Sequence, residues 1–423
     1  RQAIAANVNI TYKLLFNDAV AMTGGQPVDG VLTVPALVAQ LQAEGVGRVV
    51  VVTDEPGKYP LAVLPREVPI HHRDDLDKVQ REMRQWGGVS VLVYDQTCAT
   101  EKRRRRKRGK LADPAVRAVV NELVCEGCGD CSKQSSCVSV IPSDTEWGRK
   151  RQIDQSSCNK DLSCLKGFCP SFVTVEGGRL KKPKTAASDS PDVDALPEPV
   201  LPDLDDRPWS VYVTGVGGAG VITIGAVLGM AAHLEGLGVG VLDMAGLAQK
   251  GGAVASHLRF AKSPDDIHAV RIAAGGADAV LAGDAVTAAA GDALSKMAAG
   301  RTRAVVNTHE IITIDFLKQP DFRSPMADML ADIAQACGDQ GRMDALDATG
   351  LAADLLGDAI AANPLLLGFA WQKGLIPLSQ DAILEAMRLN GTAVAMNVAA
   401  FRWGRLAAVD MAAVRQAATA AQA

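Results

Sequence analysis

Seven of the nine cysteines in this chain lie between residues 125 and 169, and their spacing is its first chemical signal. The first group reads Cys125-x2-Cys128-x2-Cys131-x5-Cys137, and the second reads Cys158-x5-Cys164-x4-Cys169-Pro170. Three thiols spaced by two residues can wrap three corners of an iron–sulfur cube, and a distant cysteine followed by proline can supply the fourth. Electron transfer is therefore the first expectation. Two other readings compete with it. A structural zinc site favours paired C-x2-C ribbons, and only one half of this set has that spacing. A disulfide framework suits a small secreted domain, whereas this chain has 423 residues and opens without the pattern of a signal peptide.

Three further segments have residue types suited to binding. The loop Asn17-Asp18-Ala19-Val20-Ala21-Met22-Thr23-Gly24-Gly25-Gln26 directly follows a β-like run. A side-chain amide and a nearby backbone carbonyl can give Mg²⁺ two of its six oxygens. Thr23 and the two glycines would let the backbone approach a diphosphate, although the same residues also make an ordinary strand-to-helix turn. Gly215-x-Gly217-Gly218-Ala219-Gly220 stands between a strand and a helix, the context of a phosphate-binding turn. Tight strand–helix packing is its rival reading, and Asp243 at the end of the next strand leaves a dinucleotide open. Residues 249–257, Gln-Lys-Gly-Gly-Ala-Val-Ala-Ser-His, read as part of an anion site or as a solvated loop.

These residues must be positioned by α/β elements. The composition is 48% hydrophobic and 4% aromatic with 40 glycines, and the length suggests two or three domains. Strands are expected at 9–17, which reads as buried, and at 46–53 and 89–94, with helices at 34–44 and 76–86 between them. That alternation implies parallel βαβ units with a site at the strand C-terminal ends. Further strands are expected at 211–214, 239–243, 279–282 and 304–307, a helix through about His233, and apolar helical stripes from about Asp344, before an Ala-rich tail that should fray. Residues 177–207 read as a Pro- and Asp-rich linker with little to bury. The basic run 102–108 lacks interleaved aromatics, and the net charge is −4. Docking an acidic electron carrier or forming an internal charged interface fits the run better than binding nucleic acid. Cys98 and Cys337 read as small apolar residues. No apolar run reaches membrane-spanning length, and a reducing cytoplasm fits the clustered thiols. The chain opens at Arg1 in mid-pattern and is expected to be a piece of a larger protein.

Over essentially its whole length the sequence resembles the large, single-chain indolepyruvate ferredoxin oxidoreductases, a family of thiamine-diphosphate 2-oxoacid:ferredoxin oxidoreductases. The resemblance is carried by the loop 17–26, Tyr94-Asp95-Gln96-Thr97-Cys98-Ala99, Cys125-Glu126-Gly127-Cys128-Gly129-Asp130-Cys131, Asp154-Gln155-Ser156-Ser157-Cys158-Asn159-Lys160, Lys166-Gly167-Phe168-Cys169-Pro170-Ser171-Phe172, Gly215–Gly220 and Leu247-Ala248-Gln249-Lys250-Gly251-Gly252. It implies an α/β multidomain chain. Residues 1–110 would be the C-terminal part of a thiamine-diphosphate-binding domain and 111–176 a ferredoxin-like iron–sulfur module. A linker at 177–208 would lead to a Rossmann-like γ-type catalytic domain at 209–423 with a helical C-terminal portion.

The implied activity is oxidative decarboxylation of a 2-oxoacid to an acyl-CoA, with ferredoxin as electron acceptor. A homo-oligomer with no nucleic-acid or membrane partner is expected. Asn17 through its side chain and Ala19 through its carbonyl would bind Mg²⁺, with Thr23 and Gly24 near thiamine diphosphate. Gly215, Gly217, Gly218 and Gly220 would line a cofactor or substrate turn. Cys125, Cys128, Cys131 and Cys169 would hold one [4Fe–4S] cluster, while Cys137, Cys158 and Cys164 leave a second cluster one thiol short. The family's upstream Gly-Asp-Gly motif and its pyrimidine-binding domain are not in this sequence, so full turnover is not expected of it alone. Two rival classes remain at this point: a non-catalytic electron-transfer subunit, and a nicotinamide-dependent iron–sulfur oxidoreductase using Gly215–Gly220 and Asp243.

Overall fold

The structure, a computed structural model, describes every residue except 18–28, 31, 61–62, 156, 179–190, 194, 205–206, 246–251, 314, 317–318, 320 and 423. The chain forms two compact units, residues 1–117 with 157–162 and residues 118–156 with 163–423. Among the described residues no helix is long and apolar enough to cross a membrane.

In the first unit four parallel strands, β1 (Ile10–Phe16), β2 (Arg48–Thr53), β3 (Ile70–His72) and β4 (Val89–Asp95), lie in the order β1-β4-β2-β3. Val49 and Val51 pack with Val34, Leu37 and Val38 of helix α1 (Val34–Ala43). Val50 and Val52 pack on the other face with Val79 and Met83 of α2 (Leu76–Arg84). Both faces of β2 are covered, so it is a continuous Val run rather than an alternating strand. The Thr33 hydroxyl caps α1 by accepting the Ala36 amide at 3.3 Å. β1 differs from the buried strand expected at 9–17: Tyr12 is 48% and Leu15 66% exposed. It is an edge strand bonded to β4 alone, so less protein covers it.

The basic run lies on α3 (Ala99–Lys107) and turns inward. Glu101 is 3% exposed, with Arg104 and Arg105 at 3.6 and 3.1 Å from it. Lys102 bonds Asp54 at 2.6 Å, and Arg103 and Arg106 donate to the carbonyls of Ser157 and Asn159. A buried carboxylate needs paired cations, and here it has them. Of the two jobs anticipated for this run, the contacts match an internal charged interface.

The strand β5 (Val116–Val120) leads into the second unit and pairs with β8 (Phe172–Glu176). Between them lie a short helix α4 (Asp130–Ser135) and the hairpin β6 (Val140–Thr145) and β7 (Gly148–Ile153). The larger sheet contains β9 (Trp209–Val216), β10 (Gly238–Ala245), β11 (Ala253–Ala261), β12 (Ala279–Ala282), β13 (Arg303–Asn307) and β14 (Met343–Leu346), in the order β10-β11-β9-β12-β13-β14. β9, β12, β13 and β14 run parallel, and β11 is antiparallel to both its neighbours. β11 and β14 are additions to the strands anticipated. Residues 253–257 are not a solvated loop but part of a central strand with Ser256 and His257 fully buried. His257 is accommodated because its Nδ1 accepts the Ile272 amide at 3.1 Å and its ring meets Tyr212 edge-on.

Helix α5 (Val221–Leu234) follows β9, and α6 (Met326–Cys337) precedes β14. The C-terminal portion is helical: α7 (Ala348–Leu356), α8 (Ala362–Gln372), α9 (Gln380–Asn390), α10 (Val394–Val409) and α11 (Met411–Gln422). α8 is buried along its whole length. It crosses α10 so closely that a Cβ on Gly368 would lie 2.0 Å from the Phe401 carbonyl oxygen, and one on Gly404 1.9 Å from that of Leu365. α11 was expected to fray, but Val414 and Ala418 bury its inner face. The linker reading also changes in its described part. Val193 is buried, Leu201 and Leu204 pack on the helical core, and Gln372 donates to the Pro197 carbonyl. A few apolar anchors and a carbonyl bond suffice to seat an extended Pro-rich segment.

At the ends of β13 and β14, Asp347 caps α7 by accepting the Gly350 amide at 2.7 Å, and His309 Nδ1 lies 3.3 Å from its carboxylate. The bond to Asp347 raises the His309 pKa against the opposing effect of burial, with Asp154 and Glu310 acting in the same sense as Asp347. The Asp347 carboxyl is lowered, first by His309.

Two outcomes are expected. Gly404→Ala should lower the melting temperature, with a cost of about 1–3 kcal/mol from overpacking, although alanine is the better helix former by about 1 kcal/mol. A raised melting temperature would mean that α8 and α10 do not touch. The His309–Asp347 pair stabilises fully below the ordinary His pKa of about 6.5 and above the ordinary Asp value of about 3.9, and its His contribution fades as pH rises through the raised His309 value. Melting temperature should therefore carry a falling component as pH rises above about 6.5. Asp347→Asn keeps a capping oxygen and should flatten that component; an unchanged slope would remove the pair from the account.

Candidate functional site

The cysteine loop begins where β5 ends. The Cys125 amide donates to the Asn121 carbonyl at 3.0 Å, and the Asn121 amide donates to the Ser171 carbonyl at 2.7 Å. The segment Cys169-Pro170-Ser171 thus runs beside the start of the loop, and the Cys169 sulfur lies 2.9 Å from the Ser171 hydroxyl. Gly127 and Gly129 take φ of +73° and +80°, a left-handed conformation that favours glycine. These two turns place Cys125, Cys128 and Cys131 on one compact loop, with the Gly127 amide 3.4 Å from the Cys125 sulfur. α4 carries Cys131 and packs against the turn Ser163–Lys166, which carries Cys164. The Cys137 amide donates to Ser135 Oγ at 3.3 Å. Cys158 falls in the first unit, with the Lys160 amide 3.4 Å from its sulfur.

Three non-glycine residues beside these cysteines, Ser136, Lys160 and Leu162, have φ of 47°, 58° and 57°. Such residues cost about 1–3 kcal/mol each and collect at functional sites. Burial pushes the Cys131 thiol up, while bonds to Ser132 and the charge of Arg151 draw it back. Among the described residues no three His, Cys, Asp or Glu side chains converge on a point that could hold one metal ion. Such convergence is the geometry of a single zinc ion, whereas a cube spreads four thiolates over its irons. The donor chemistry of the loop, soft thiols with a backbone amide directed at sulfur, fits the cube.

In the first unit the strand register sets Phe16, Asp95 and Thr53 side by side at the carboxyl edge of the sheet. Asn17 is the next residue after Phe16, and the Gln96 amide donates to the Phe16 carbonyl at 3.1 Å. Asp95 is 5% exposed, holds the Lys58 ammonium at 2.6 Å and accepts the Tyr59 hydroxyl. Burial and Asp95 push the Tyr59 phenol far above its ordinary range, so Tyr59 remains a proton donor. Burial opposes ionisation of Asp54, but Lys102 outweighs it and lowers that carboxyl. Ala19, Thr23 and Gly24 lie outside the described residues, as do Gln249, Lys250 and Gly251.

The turn Gly215–Gly220 stands between β9 and α5, beside β12, where the sheet's connections diverge and ligands commonly bind. Its four glycines divide into two kinds. Gly215 packs tightly, since a Cβ would lie 2.8 Å from Val221, and the Gly217 amide donates to the Gly252 carbonyl at 2.8 Å. Gly218 and Gly220 have φ of +92° and +99°, and Gly218 faces open space. The Val216 amide donates to buried Asp284 at 2.8 Å, and Asn363 donates to the Ala219 carbonyl. Much of the turn is therefore explained by packing, with its open side at Gly218.

Sequence reasoning did not single out Lys58, Tyr59, Asp284 or Asn363, nor Asp95 as more than part of a motif. A polar residue directly after a Val-rich strand was the available signal for Asp95 and, more weakly, for Asp284. Arg151 gave none.

The profile of the family described as pyruvate ferredoxin/flavodoxin oxidoreductase matches residues 210–407. The indolepyruvate oxidoreductase subunit IorB of Pyrococcus horikoshii is 30% identical over 210 residues, which cover 48% of this chain and 98% of that protein. The IorB subunit of Methanothermobacter thermautotrophicus is 28% identical over 204 residues, with the same two coverages of 48% and 98%. A solved structure, the gamma subunit of a keto/oxoacid ferredoxin oxidoreductase from Geobacter sulfurreducens, is 21% identical at a TM-score of 0.34 and covers 48% of this chain and 98% of its own. On the match to the indolepyruvate oxidoreductase subunits, with β9 through α10 as the shared half, the chain belongs to the pyruvate ferredoxin/flavodoxin oxidoreductase family.

Proposed function

We propose that this chain takes part in oxidative decarboxylation of an aryl 2-oxoacid of the indolepyruvate type to an acyl-CoA, and passes the electrons through a [4Fe–4S] cluster to ferredoxin. The observation that carries the reading is the Cys125–Cys131 loop. Three thiols stand on one turn, an amide points at sulfur, and the Cys169 segment is bonded alongside. The names of the relatives support the choice of 2-oxoacid.

Cys125, Cys128, Cys131 and Cys169 would hold the cluster. Asn17 and the Ala19 carbonyl would hold Mg²⁺, with Thr23 and Gly24 beside thiamine diphosphate. That cofactor, when bound, supplies the carbanion chemistry. The protein's own contribution at this edge is a fixed pair of groups. Asp95 orients the Lys58 cation and keeps the Tyr59 proton in place, one residue across the sheet from Asn17. In the γ-type half, the open side of the turn at Gly218 is where a phosphate-bearing substrate such as coenzyme A would approach the amino end of α5.

Anaerobically purified protein is expected to contain about four iron and four sulfide per chain. Cys128→Ala should remove the visible charge-transfer absorbance and loosen the cysteine module, because metal binding and folding are coupled in small modules. Cys98→Ala and Cys337→Ala should leave the cluster intact. Tightly bound zinc without sulfide would overturn the reading. About eight iron would add a second cluster on Cys137, Cys158 and Cys164 with a non-cysteine ligand.

A further inference from the structure

We propose that Arg151 is a positioning residue for the cluster, a permanent buried cation held against the Cys125–Cys131 loop that favours the cluster's reduced state. The inference rests on the [4Fe–4S] reading above and adds a residue to it.

Arg151 lies on β7, the second strand of the hairpin behind the cysteine loop, and is 1% exposed. The loop and this strand touch backbone to backbone: a Cβ on Gly127 would lie 2.3 Å from the Arg149 carbonyl oxygen. Side chains two residues apart on a strand share a face, and Arg149 and Arg151 both stack on Phe316, at 5.8 and 4.7 Å. Arg149 is tethered to the Phe322 carbonyl, while Arg151 Nη1 donates to the Lys150 carbonyl at 3.0 Å. After burial itself, the strongest influences on the Arg151 charge are the sulfurs of Cys131 and then Cys125, ahead of Arg149 and Asp321.

A buried guanidinium is expensive unless negative charge stands near it. Asp321 supplies some of that charge, and as cluster ligands Cys125 and Cys131 would be thiolates and supply more. The one-electron reduction adds a further negative charge to the same site. An arginine stays charged at any working pH, so it offsets that charge without a proton moving. In a low-dielectric setting such a fixed cation acts over several ångströms. Its planar group also explains the choice of arginine over lysine, since it can stack on Phe316 while donating to the Lys150 carbonyl.

The test is a redox titration of the anaerobically reconstituted full chain, followed by electron paramagnetic resonance and with iron and sulfide measured on each sample. In Arg151→Gln the reduced-to-oxidised ratio should fall about tenfold at the potential where half the wild-type cluster is reduced, equivalent to about 59 mV for one electron. Arg151→Lys keeps the charge and should change the ratio less. Loss of the cluster in Arg151→Gln but not in Arg151→Lys would also support a requirement for the charge. Wild-type midpoints in both variants at full iron content would overturn the proposal, as would loss of iron in both, which would make the role one of shape. Absence of iron and sulfide from the wild type would instead overturn the cluster reading itself.

Discussion

The close approach of Gly127 to the Arg149 carbonyl fixes the cysteine module. A left-handed glycine without a side chain lets the loop lie flat on the β6–β7 hairpin, and any Cβ there would collide with backbone. The loop cannot lift away, and it carries Cys125, Cys128 and Cys131 within seven residues of one another. Arg151 lies two residues further along the strand that makes this contact and is buried. The hairpin is in turn anchored by Phe316 and by the carbonyl of Phe322, which belong to the stretch after β13. The module is thus built onto the stretch after β13 of the second unit, which gives it a rigid support.

Buried charge is handled the same way elsewhere in the molecule. Asp278, almost fully buried, accepts two arginines, Arg207 and Arg301, together with the Ser210 amide. Burial works against its ionisation, and the bonds from both guanidinium groups hold the carboxyl below its ordinary range. Glu101, Asp95 and Asp284 are each met by cations or by amide and hydroxyl donors. Three of these four acids sit at or beside strand ends, where parallel sheets leave polar backbone to be satisfied. Asp95 stands out because its partners, Lys58 and Tyr59, are groups that can also serve chemistry.

Legibility in the sequence followed the strength of the local pattern. β2 and β4 were readable because a strand buried on both faces is apolar nearly throughout, with Ser90 the one interruption before Tyr94 in β4. β11 was hidden because a Gly-Gly approach and the polar pair Ser256-His257 look like a loop, and only the Ile272 amide and Tyr212 make His257 acceptable inside. β14 has four residues, too few for a period to show. α11 is alanine-rich, and its docking rests on Val414 and Ala418, with Met411 and Ala417 packed beside them. The cysteine loop was readable from spacing alone, whereas Arg149-Lys150-Arg151 looks like a solvated hairpin until Phe316, more than 160 residues away in the chain, is seen beneath it. The basic run 102–108 left two jobs open for a similar reason, because its partners Asp54 and Glu101 are visible only once the helix is folded against them.

The central claim is that this loop and Cys169 hold an iron–sulfur cube. X-ray absorption at the iron edge, on anaerobically purified chain, tests it most directly. The account predicts iron with an all-sulfur ligand shell and further iron at short distance, as in a cluster with cysteine thiolate ligands. An isolated metal with no metal neighbour, or one ligated through nitrogen or oxygen, would contradict it.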